Sequence, residues 1–590
     1  MCGIIGYIGE KNPIEILING LKCLEYRGYD SAGIALKEKN QIEVIKSVGK
    51  IVKLEEKIKN KEFLPSHLGI AHTRWATHGK PTENNAHPHT VGNVTLVHNG
   101  IIENADELRE KLQAENIVFK SETDTEVITA LINKYYENSP EEAINKAIKE
   151  VKGSYALGIL FKGNDDLYAV RKDSPLIVGL GVNENFIASD IAAIIDYTNQ
   201  YLLLEEAEIA HITKEKVIVT KDNKQIEKEV QITNLKKDAK DKCGYEHYML
   251  KEIMEEPVVL EKTLKPYIEN LDNLPDLTKY KEIHIIACGS AMYAGMIGKT
   301  LLEEYANTKV EIDVASEYRY KKTIYDKKTI VILISQSGET ADTIAAMRKA
   351  QENNIETLAI VNVKTSTIAR DSDNQIFIEA GPEIAVATTK AYILQVAILA
   401  LLSYKTALIK GLIKEEDKVL EELKKLPRLL KEVLDRREEY QKIATEIYNN
   451  NDIFFIGRKI DYATSMEGSL KLKEVSYIHS EAYQAGELKH GTISLIEEKT
   501  PVFAIVTDEK IKNKTISNIE EVKSRGAKII IISNEYWDNQ NLQIVVPKIS
   551  PYFQPILITP TLQLIAYETA KLRNCDIDKP KNLAKSVTVE

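Results

Sequence analysis

The chain has 590 residues, of which 78 are basic and 88 acidic, and its formal net charge at pH 7 is −10. This length predicts about three or four domains, and the absence of a basic excess argues against a nucleic-acid partner. The longest apolar run, residues 391–404, is too short to span a bilayer and contains Gln395. We therefore predict a buried helix there and no membrane partner.

The use of cysteine indicates the compartment. The five cysteines are widely spaced and form no CxxC motif, which argues against a disulfide framework and favours a reducing environment. The N-terminus has neither the basic nor the apolar region of a signal peptide. The expected location is the cytoplasm.

The first segment, "MCGIIGYIG", places Cys2 directly after Met1. If Met1 is removed, Cys2 carries a thiol with a pKa near ~8.5 and an α-amine with a pKa near ~8, so the amine can act as a base toward the thiol. The alternative is that Cys2 only fills the core, because free cysteines are usually buried and inert.

The chain up to about residue 219 alternates short apolar strands with amphipathic helices, a pattern that predicts a layered α+β domain. One helix is expected to start at Asn104 as its N-cap, with Glu107 completing a near capping box. The predicted strands are "CGIIGYIG", "SAGIALK", "HLGIAHTRWAT", "NVTLVHNG", "SYALGILF" and "DLYAV", and the predicted helices are "PIEILINGLKCLEY" and "NADELREKLQAEN".

Polar residues collect in the loops of this domain, where sites are usually built. Arg74 could bind a carboxylate and Asp124 an ammonium group, as the head of an amino acid requires. The side-chain amide of Asn99 and the backbone N–H of Gly100 could stabilise an oxyanion. The histidines between residues 72 and 89 could instead bind a metal or merely pack, but no cysteine or carboxylate ligand pattern accompanies them, so we predict no metal.

The first 220 or so residues resemble class II glutamine amidotransferase domains, which have an N-terminal nucleophile fold, an αββα sandwich. The resemblance implies that Cys2 attacks the glutamine amide with its own α-amine as the base, and that Asn99 and Gly100 form the oxyanion hole. The motifs that carry it are "MCGIIGYIG", "LEYRGYDSAGIA", "AHTRWATHG", "NAHPH", "HNGIIEN" and "SETDTEV". The residues that it assigns to glutamine binding are Arg74, Trp75, Thr77, His78, Gly100 and Asp124.

A charged stretch, residues 220–244, is predicted to be a linker that contains one strand at most.

The remainder contains an internal repeat with a period of roughly 170 residues, in which a buried strand, a glycine turn and a helix recur. Apolar strands alternating with helices predict two doubly wound parallel sheets. Between the two copies we predict long helices, broken near Pro427.

The first copy contains "SQSGET", residues 335–340, between a buried strand and a helix. Its hydroxyls, its glycine and the helix N-terminus predict an anion site for a sugar phosphate, and Ser290 lies at an equivalent strand end. The alternative is simple helix capping by serine and threonine. The second copy has "GRK" at residues 457–459 instead, so only the first copy is expected to bind phosphate.

Two further segments carry candidate catalytic groups. Lys471 and Glu474 are three residues apart and so share a helix face, where the alternative is a solvated ion pair. The tail "NLAKSVTV" has apolar residues on both sides of Lys585. In a dry pocket that lysine would have a lowered pKa and could form an imine with a ketose.

The C-terminal half resembles a pair of sugar isomerase (SIS) domains. The resemblance implies that Glu474 moves a proton between C1 and C2 of the sugar, that His490 assists ring opening and that Lys585 forms the imine. The motifs that carry it are "CGS", "SQSGET", "VATTKAY", "EGSLKLKE", "GELKHG" and "PKNLAKSVTVE". The residues that it assigns to the sugar phosphate are Ser290, Ser335, Gln336, Ser337, Thr340, Val386, Lys471 and Ala584.

The two resemblances together imply a glutamine-dependent enzyme that aminates fructose 6-phosphate and isomerises the product to glucosamine 6-phosphate, with ammonia passed internally. They imply no cofactor and a homodimer formed through the SIS domains. An amidohydrolase would leave the sugar half without a role, and a sugar-phosphate sensor would not need Cys2, Glu474 and Lys585 together. The expected domains are residues 2–220 (amidotransferase), 221–245 (linker), 246–425 and 426–580 (two SIS domains), and 581–590 (a tail closing the sugar site).

Overall fold

The structure is a computed structural model that describes residues 2–39, 41–233, 242–413, 416–537 and 542–587, with the backbone alone at 416 and 417. These residues form two compact units. The first comprises the residues up to 233 together with tail residues 584–587, and the second comprises residues 242–583.

The first unit is built on two antiparallel sheets. The eight-stranded sheet has the order β15-β11-β9-β10-β1-β4-β2-β3 and the seven-stranded sheet the order β14-β13-β12-β8-β7-β6-β5. The strands are β1 (Gly3–Gly9), β2 (Ser31–Glu38), β3 (Gln41–Val48), β4 (Leu68–Arg74), β5 (His89–Val91), β6 (Val94–Ile102), β7 (Gly153–Phe161), β8 (Leu167–Lys172), β9 (Ile177–Leu180), β10 (Glu184–Ala188), β11 (Gln200–Leu203), β12 (Ile209–Ile212), β13 (Val217–Lys221), β14 (Lys224–Ile226) and β15 (Gln231–Ile232).

Helices cover the outer face of each sheet, because the strands alternate apolar residues between their two faces. The first two helices pack on the larger sheet and the other three on the smaller one, while Ile4, Ile70, Val97 and Ala156 belong to the core between the sheets. This is the expected αββα sandwich. The helices are α1 (Pro13–Leu24), α2 (Ile51–Lys59), α3 (Ala105–Ala114), α4 (Asp124–Tyr135) and α5 (Pro140–Glu150).

Two local expectations for this unit need correction, although α3 does begin directly after Asn104, as predicted. The predicted linker contains two strands, β14 and β15, which add to the edges of the two sheets, so the unit extends at least to residue 233. Asn104 occupies the N-cap position of α3 but makes no capping bond. Its side chain instead accepts a hydrogen bond from the Lys152 backbone N–H and donates one to the Glu150 carbonyl.

The second unit contains two five-stranded parallel sheets with matching connectivity, as the internal repeat predicts. Their orders are β17-β16-β18-β19-β20 and β22-β21-β23-β24-β25, so the same doubly wound plan occurs twice. The strands are β16 (Glu282–Ala287), β17 (Lys309–Val314), β18 (Thr329–Ser335), β19 (Glu356–Val361), β20 (Asn374–Phe377), β21 (Asp452–Gly457), β22 (His479–Gln484), β23 (Pro501–Val506), β24 (Lys528–Ser533) and β25 (Leu542–Val545).

One apolar core joins the two sheets of this unit and includes Ile285 and Phe503 from their facing sides. The predicted apolar helix, α11, lies in that core. It is the one helix of the described residues that is long and apolar enough to cross a membrane, but 89% of its apolar window is buried inside the protein. The helices are α6 (Tyr248–Glu269), α7 (Gly289–Ala306), α8 (Ala315–Tyr318), α9 (Ala341–Glu352), α10 (Thr367–Asp371), α11 (Lys390–Ile409), α12 (Glu416–Leu434), α13 (Arg437–Ile447), α14 (Ile460–Ser476), α15 (Lys512–Lys523) and α16 (Gln554–Leu572).

The predicted break at Pro427 does not occur, because α12 runs through that residue and ends at Leu434. Leu423, Leu426 and Leu430 are all fully buried, and their packing holds the helix together across the proline, which lacks a backbone N–H. The expected domain boundary at 425/426 therefore falls inside a continuous helix.

The segment before the tail is anchored to the second unit. The Asp578 carboxylate accepts hydrogen bonds from the backbone N–H groups of Tyr248 and Met249, both 2.9 Å long, at the start of α6. Its backbone oxygen accepts a third from the Val386 N–H at 3.0 Å. A carboxylate at a helix N-terminus is electrostatically favourable. Because Asp578 bonds both the start of α6 and Val386, it fixes the position of Val386 relative to α6.

Candidate active site

Side chains alternate between the two faces of each strand, and this alternation places a group of polar side chains between the two sheets of the first unit. Ile4, Leu68, Ile70, Val97 and Ile187 belong to the inter-sheet core, and residues two positions apart on a strand share a face. The same faces therefore carry the polar residues at the strand ends. These are Cys2, His72, Arg74, Asn99 and Ser189.

The thiol of Cys2 lies against the backbone of Trp75. The Trp75 N–H donates to Sγ at 3.3 Å, and the Trp75 carbonyl oxygen lies 3.5 Å from Sγ. Burial raises the pKa of the Cys2 thiol, while the Trp75 N–H and the Arg74 charge oppose that rise. Such a thiol does not ionise readily by itself, so attack on an amide needs a base beside it.

Asn99 contacts Cys2 directly and is held in one orientation. Its Nδ2 donates to the Cys2 carbonyl oxygen at 3.1 Å and to Ser189 Oγ at 2.9 Å. His72 Nε2 lies 3.1 Å from Asn99 Oδ1 and 3.0 Å from the His98 carbonyl oxygen. Both atoms are acceptors, so His72 carries its proton on Nε2, and this donor fixes which end of the Asn99 amide faces Cys2.

Burial lowers the pKa of His72 to about 3, so the ring is neutral at physiological pH. His87 stacks on it at 4.1 Å between ring centroids, and His89 Nε2 lies 3.1 Å from Thr123 Oγ1. Burial also lowers the pKa of His87 and His89. These contacts are those of neutral, packed imidazoles.

The position of Gly100, next to Asn99 on β6, has no room for a side chain. Its φ of +128° is unfavourable for other residues, and a Cβ there would lie 2.1 Å from the Ser154 carbonyl oxygen. The backbone N–H of Gly100 therefore lies beside the Asn99 amide on a strand that accepts only glycine at this position.

Arg74 and Asp124 are both buried. Arg74 Nη2 donates to the carbonyl oxygens of His78 and Gly79, but Nη1 is buried without a hydrogen-bond partner in the described part of the chain. Asp124 is the first residue of α4, and its carboxylate accepts from the Ile102 N–H at 2.9 Å. A buried guanidinium with an unused donor is suited to a carboxylate ligand.

The remaining predicted glutamine contacts lie on the loop after β4. Trp75 is half-buried and packs edge-on against Tyr29, with ring centroids 5.9 Å apart. Thr77 and His78 are exposed, and His78 Nδ1 lies 3.4 Å from Thr77 Oγ1. The structure therefore brings Cys2, Arg74, Trp75 and Asn99 together and leaves Thr77 and His78 on the surface of the loop.

In the second unit, the "SQSGET" segment forms a tight turn between β18 and α9. Ser335 Oγ accepts from the Gly338 N–H at 3.0 Å and lies 3.2 Å from Thr340 Oγ1. Gly338 has φ +65°, and a Cβ there would lie 2.0 Å from Ser366 Oγ. Thr340 occupies the N-cap position of α9 without making a capping bond, which weakens the reading of this loop as a simple cap.

Two other residues assigned to the sugar phosphate are held through their backbones. The Gln336 carbonyl oxygen accepts from the Asn362 N–H at 3.3 Å, and Val386 is buried at its contact with Asp578. Ser337 Oγ accepts from the Glu339 N–H at 3.2 Å.

Ser290 connects the two halves of the second unit. Its Oγ donates to Glu467 Oε1 at 3.1 Å, from the start of α7 to the middle of α14. On α14, Lys471 Nζ lies 3.6 Å from Glu467 Oε1 and also contacts the Glu474 carboxylate. Lys471 is 1% exposed and Glu467 fully buried, so this group is not a solvated ion pair.

The charges of this group are strongly coupled. Burial opposes the charged form of Lys471, but the Glu467 and Glu474 carboxylates outweigh it and raise the pKa of Lys471 to about 12. Burial raises the pKa of Glu467 from its ordinary 4.5 to about 8, against the opposing effect of Lys471. Glu467 is therefore mostly protonated at neutral pH, while Lys471 stays charged beside Glu474.

The raised pKa of Glu467 predicts a pH-dependent stability. The folded protein keeps a proton that the unfolded chain releases above pH 4.5, so this contribution is lost as pH rises toward about 8. The loss is at most about 1.4 kcal/mol per pH unit for one proton. Thermal unfolding of the wild type and of Glu467→Gln, measured across this range, should show a steeper decline for the wild type, and parallel profiles would contradict the assignment.

The last predicted residues are His490, Ala584 and Lys585. His490 is exposed at the end of a short 3₁₀ turn, Leu488–His490, and within the described residues no hydrogen bond or ion pair joins its ring to Glu474 or Lys471. Ala584 and Lys585 are half-buried and belong to the first unit.

The comparisons with known proteins agree with this two-part organisation. The glutamine amidotransferase domain family matches residues 72–196, and the SIS domain family matches residues 276–404 and 446–572. The glutamine–fructose-6-phosphate aminotransferase (isomerizing) of Clostridium tetani is 48% identical over 611 residues, and the match covers 100% of both chains. This chain belongs to the glutamine–fructose-6-phosphate aminotransferase (isomerizing) family.

Two further relatives agree with the family assignment. The aminotransferase of the same name from Thermus thermophilus is 44% identical over 606 residues, with 100% of both chains covered. Among solved structures, the C-terminal domain of glucosamine-fructose-6-phosphate aminotransferase from Francisella tularensis matches with a TM-score of 0.55 and 35% identity. That match covers 57% of this chain and 99% of the other.

The structure also contains functional candidates that the sequence analysis missed. His72 and Ser189 orient Asn99, and Glu467 links Ser290 to Lys471. His72 lies two residues before Arg74 on β4, and Glu467 lies four residues before Lys471 on α14. Periodicity could therefore have shown that each pair shares one face of its strand or helix. Ser189 contacts Asn99 across 90 residues of chain, and no local pattern signals that contact.

Proposed function

We propose that the chain transfers the amide nitrogen of glutamine to fructose 6-phosphate and isomerises the product to glucosamine 6-phosphate, releasing glutamate. The observation that carries the proposal is the presence of two different sites in one chain. One has a cysteine beside an oriented amide, and the other has a hydroxyl-rich turn at a strand end with a buried lysine–glutamate cluster. Full-length relatives with the corresponding name support it.

At the first site, Arg74 binds the α-carboxylate of glutamine through its unused Nη1, and Asp124 binds the α-ammonium group. Once Met1 is removed, the α-amine of Cys2 takes the thiol proton and Sγ attacks the side-chain amide carbon. Asn99 and the Gly100 N–H stabilise the resulting oxyanion. The α-ammonium group returns the proton to the amide nitrogen, the C–N bond breaks and ammonia leaves the thioester, which water then hydrolyses to glutamate and the free thiol.

Asn99 must exchange a contact to take this role. Both hydrogens of its amide are used, one by the Cys2 carbonyl and one by Ser189 Oγ. The tetrahedral oxyanion would replace the Cys2 carbonyl as an acceptor, while His72 keeps the amide in the same orientation. Preorganised donors of this kind lower the barrier because they need little reorganisation during the reaction.

At the second site, Ser335, Gln336, Ser337 and Thr340 bind the phosphate and sugar at the start of α9. His490, from the neighbouring subunit of a homodimer, assists ring opening. Lys585 then condenses with the C2 carbonyl with loss of water, and the imine acidifies the C1 proton.

Ammonia passed internally replaces the lysine at C2. Glu474, held by the charged Lys471, then transfers the proton between C1 and C2 to give the aldose. The enzyme is proposed to act in the cytoplasm, where its five cysteines would remain reduced.

The direct test is product analysis with glutamine and a panel of ketose and aldose phosphates. The proposal predicts glutamate and hexosamine phosphate in equal amounts, with fructose 6-phosphate as the preferred acceptor. Glutamate alone would favour an amidohydrolase, and sugar binding without turnover would favour a sensor.

The orientation of Asn99 by His72 gives a second test. His72→Leu removes the Nε2–H donor and should lower kcat for glutamine hydrolysis about tenfold to a hundredfold, with little change in KM, because the donor acts through Asn99 rather than on bound glutamine. His72→Gln keeps an N–H donor and should recover part of the loss. If both variants hydrolyse glutamine like the wild type, His72 does not position Asn99.

A further inference from the structure

The first parallel sheet carries a group of metal-ligating side chains that the proposed reaction does not use. Glu282 and His284 are two residues apart on β16, so they lie on the same face of the sheet. The register of β16 and β17 pairs His284 directly with Glu311. One ligand atom from each residue lies within 4.8 Å of the others.

The imidazole in this group is buried and unsatisfied. His284 is 1% exposed, and within the described part of the chain neither of its ring nitrogens has a hydrogen-bond partner. The ring stacks on Tyr325 at 5.6 Å and meets Tyr318 edge-on at 6.3 Å, which restricts its rotation. A buried imidazole with both nitrogens unused is uncommon and calls for an explanation.

The distances from His284 fit a shared ion better than hydrogen bonds. Nε2 lies 3.7 Å from Glu282 Oε2 and 4.0 Å from Glu311 Oε2. Both separations exceed the hydrogen-bond range. Two ligands that each lie about 2.0–2.2 Å from a tetrahedral ion are about 3.4 Å apart, so the two observed distances would have to shorten by about 0.3 to 0.6 Å when an ion binds.

We propose that Glu282, His284 and Glu311 bind one divalent transition-metal ion, and that Zn²⁺ fits this donor set best. One imidazole nitrogen and two carboxylate oxygens are common zinc ligands, with water in the fourth position. Ca²⁺ and Mg²⁺ prefer shells made of oxygen alone, so they fit less well. No motif spacing signals this site, because Glu311 comes from a different strand.

Two lysines compete with the ion for the carboxylates. Lys309 Nζ lies 2.5 Å from Glu282 Oε1, and Lys321 Nζ lies 3.7 Å from Glu311 Oε2. Their side chains are 66% and 45% exposed, so both can turn into solvent when an ion binds. The lysines should therefore weaken binding without preventing it, and removal of Lys309 should strengthen it.

The position of the group indicates a structural role. Glu282 is the first residue of β16, whereas Ser290 lies three residues after Ala287, the last residue of that strand, so the two lie at opposite ends of it. β17 is one of the two edge strands of its sheet. A bound ion would link β17 to β16 and stabilise the edge, and it would not take part in the sugar chemistry.

The experiment is a Zn²⁺ titration of the chelator-treated full chain, with bound metal measured after dialysis and thermal unfolding recorded alongside. The Cys2→Ala chain serves as the background, because a reactive thiol also binds zinc. The variants are His284→Gln, Glu311→Gln and Lys309→Ala. His479→Gln is the control, since His479 also lies near two carboxylates, of Asp452 and Glu481, but is exposed.

We expect one Zn²⁺ per chain, with an affinity reduced about tenfold or more in His284→Gln and Glu311→Gln, unchanged in His479→Gln and increased in Lys309→Ala. Zn²⁺ should raise the thermal midpoint of the background chain but not of the two ligand variants. If His284→Gln misfolds, Glu311→Gln and Lys309→Ala still decide the matter. Absence of bound zinc, or equal binding by the background chain and Glu311→Gln, would overturn the proposal.

Discussion

Cys2→Ala should abolish glutamine hydrolysis, lowering kcat by at least about four orders of magnitude, because the substitution removes the thiol that forms the thioester. The same variant should still interconvert fructose and glucose 6-phosphates slowly, since that chemistry belongs to the second unit. Both activities are measured on one purified preparation, with glutamate release and aldose formation as the readouts.

Cys23→Ala provides the matched control, because Cys23 is a half-buried cysteine on α1 outside the site. It should retain glutamine hydrolysis. Intact-mass measurement of the wild type should also show that Met1 has been removed, since the proposed base is the α-amine of Cys2. Glutamine hydrolysis that persists in Cys2→Ala would contradict the assignment of the nucleophile.

Lys585→Arg should lose synthase and isomerase activity, each by at least about a hundredfold, while retaining some glutamine hydrolysis. Arginine keeps the positive charge but cannot form an imine. Without the lysine imine, C2 is not activated for exchange with ammonia and the C1 proton is not acidified, so the proton transfer assigned to Glu474 does not begin.

Lys581→Arg makes the same change four residues earlier in the chain. Lys581 lies over the Tyr477 ring at 4.4 Å, a contact that arginine can also make, so this variant should stay active. Borohydride added with fructose 6-phosphate should trap a sugar adduct on the peptide that contains Lys585 of the wild type. An adduct on another lysine, or normal isomerisation by Lys585→Arg, would show that the tail is only structural.

Much of the fold was predictable because its signals are local. The strand that carries Arg74 and the helix that carries Lys471 both follow from periodicity in short windows. The repeat predicted two parallel sheets with one connectivity, and the buried apolar helix α11 followed from a single run of residues. These features depend on neighbours in sequence, which a single chain reveals.

The failures came where tertiary contacts override local preference. Pro427 lies inside α12 because buried leucines on both sides hold the helix together. Asn104 is an apt N-cap by residue type, but its side chain bonds the backbone at residues 150 and 152 instead. In the candidate sites, Ser189 contacts Asn99 across 90 residues and Glu467 contacts Ser290 across 177 residues, and no local pattern predicts either of these two contacts.

The central claim is that nitrogen moves from glutamine to the sugar within one protein. The most direct measurement uses glutamine labelled with ¹⁵N in its amide group, together with fructose 6-phosphate and an excess of unlabelled ammonium. The account predicts that glucosamine 6-phosphate forms with ¹⁵N at C2 and almost no dilution of the label. Product that carries the unlabelled nitrogen of the medium, or no hexosamine phosphate at all, would contradict it.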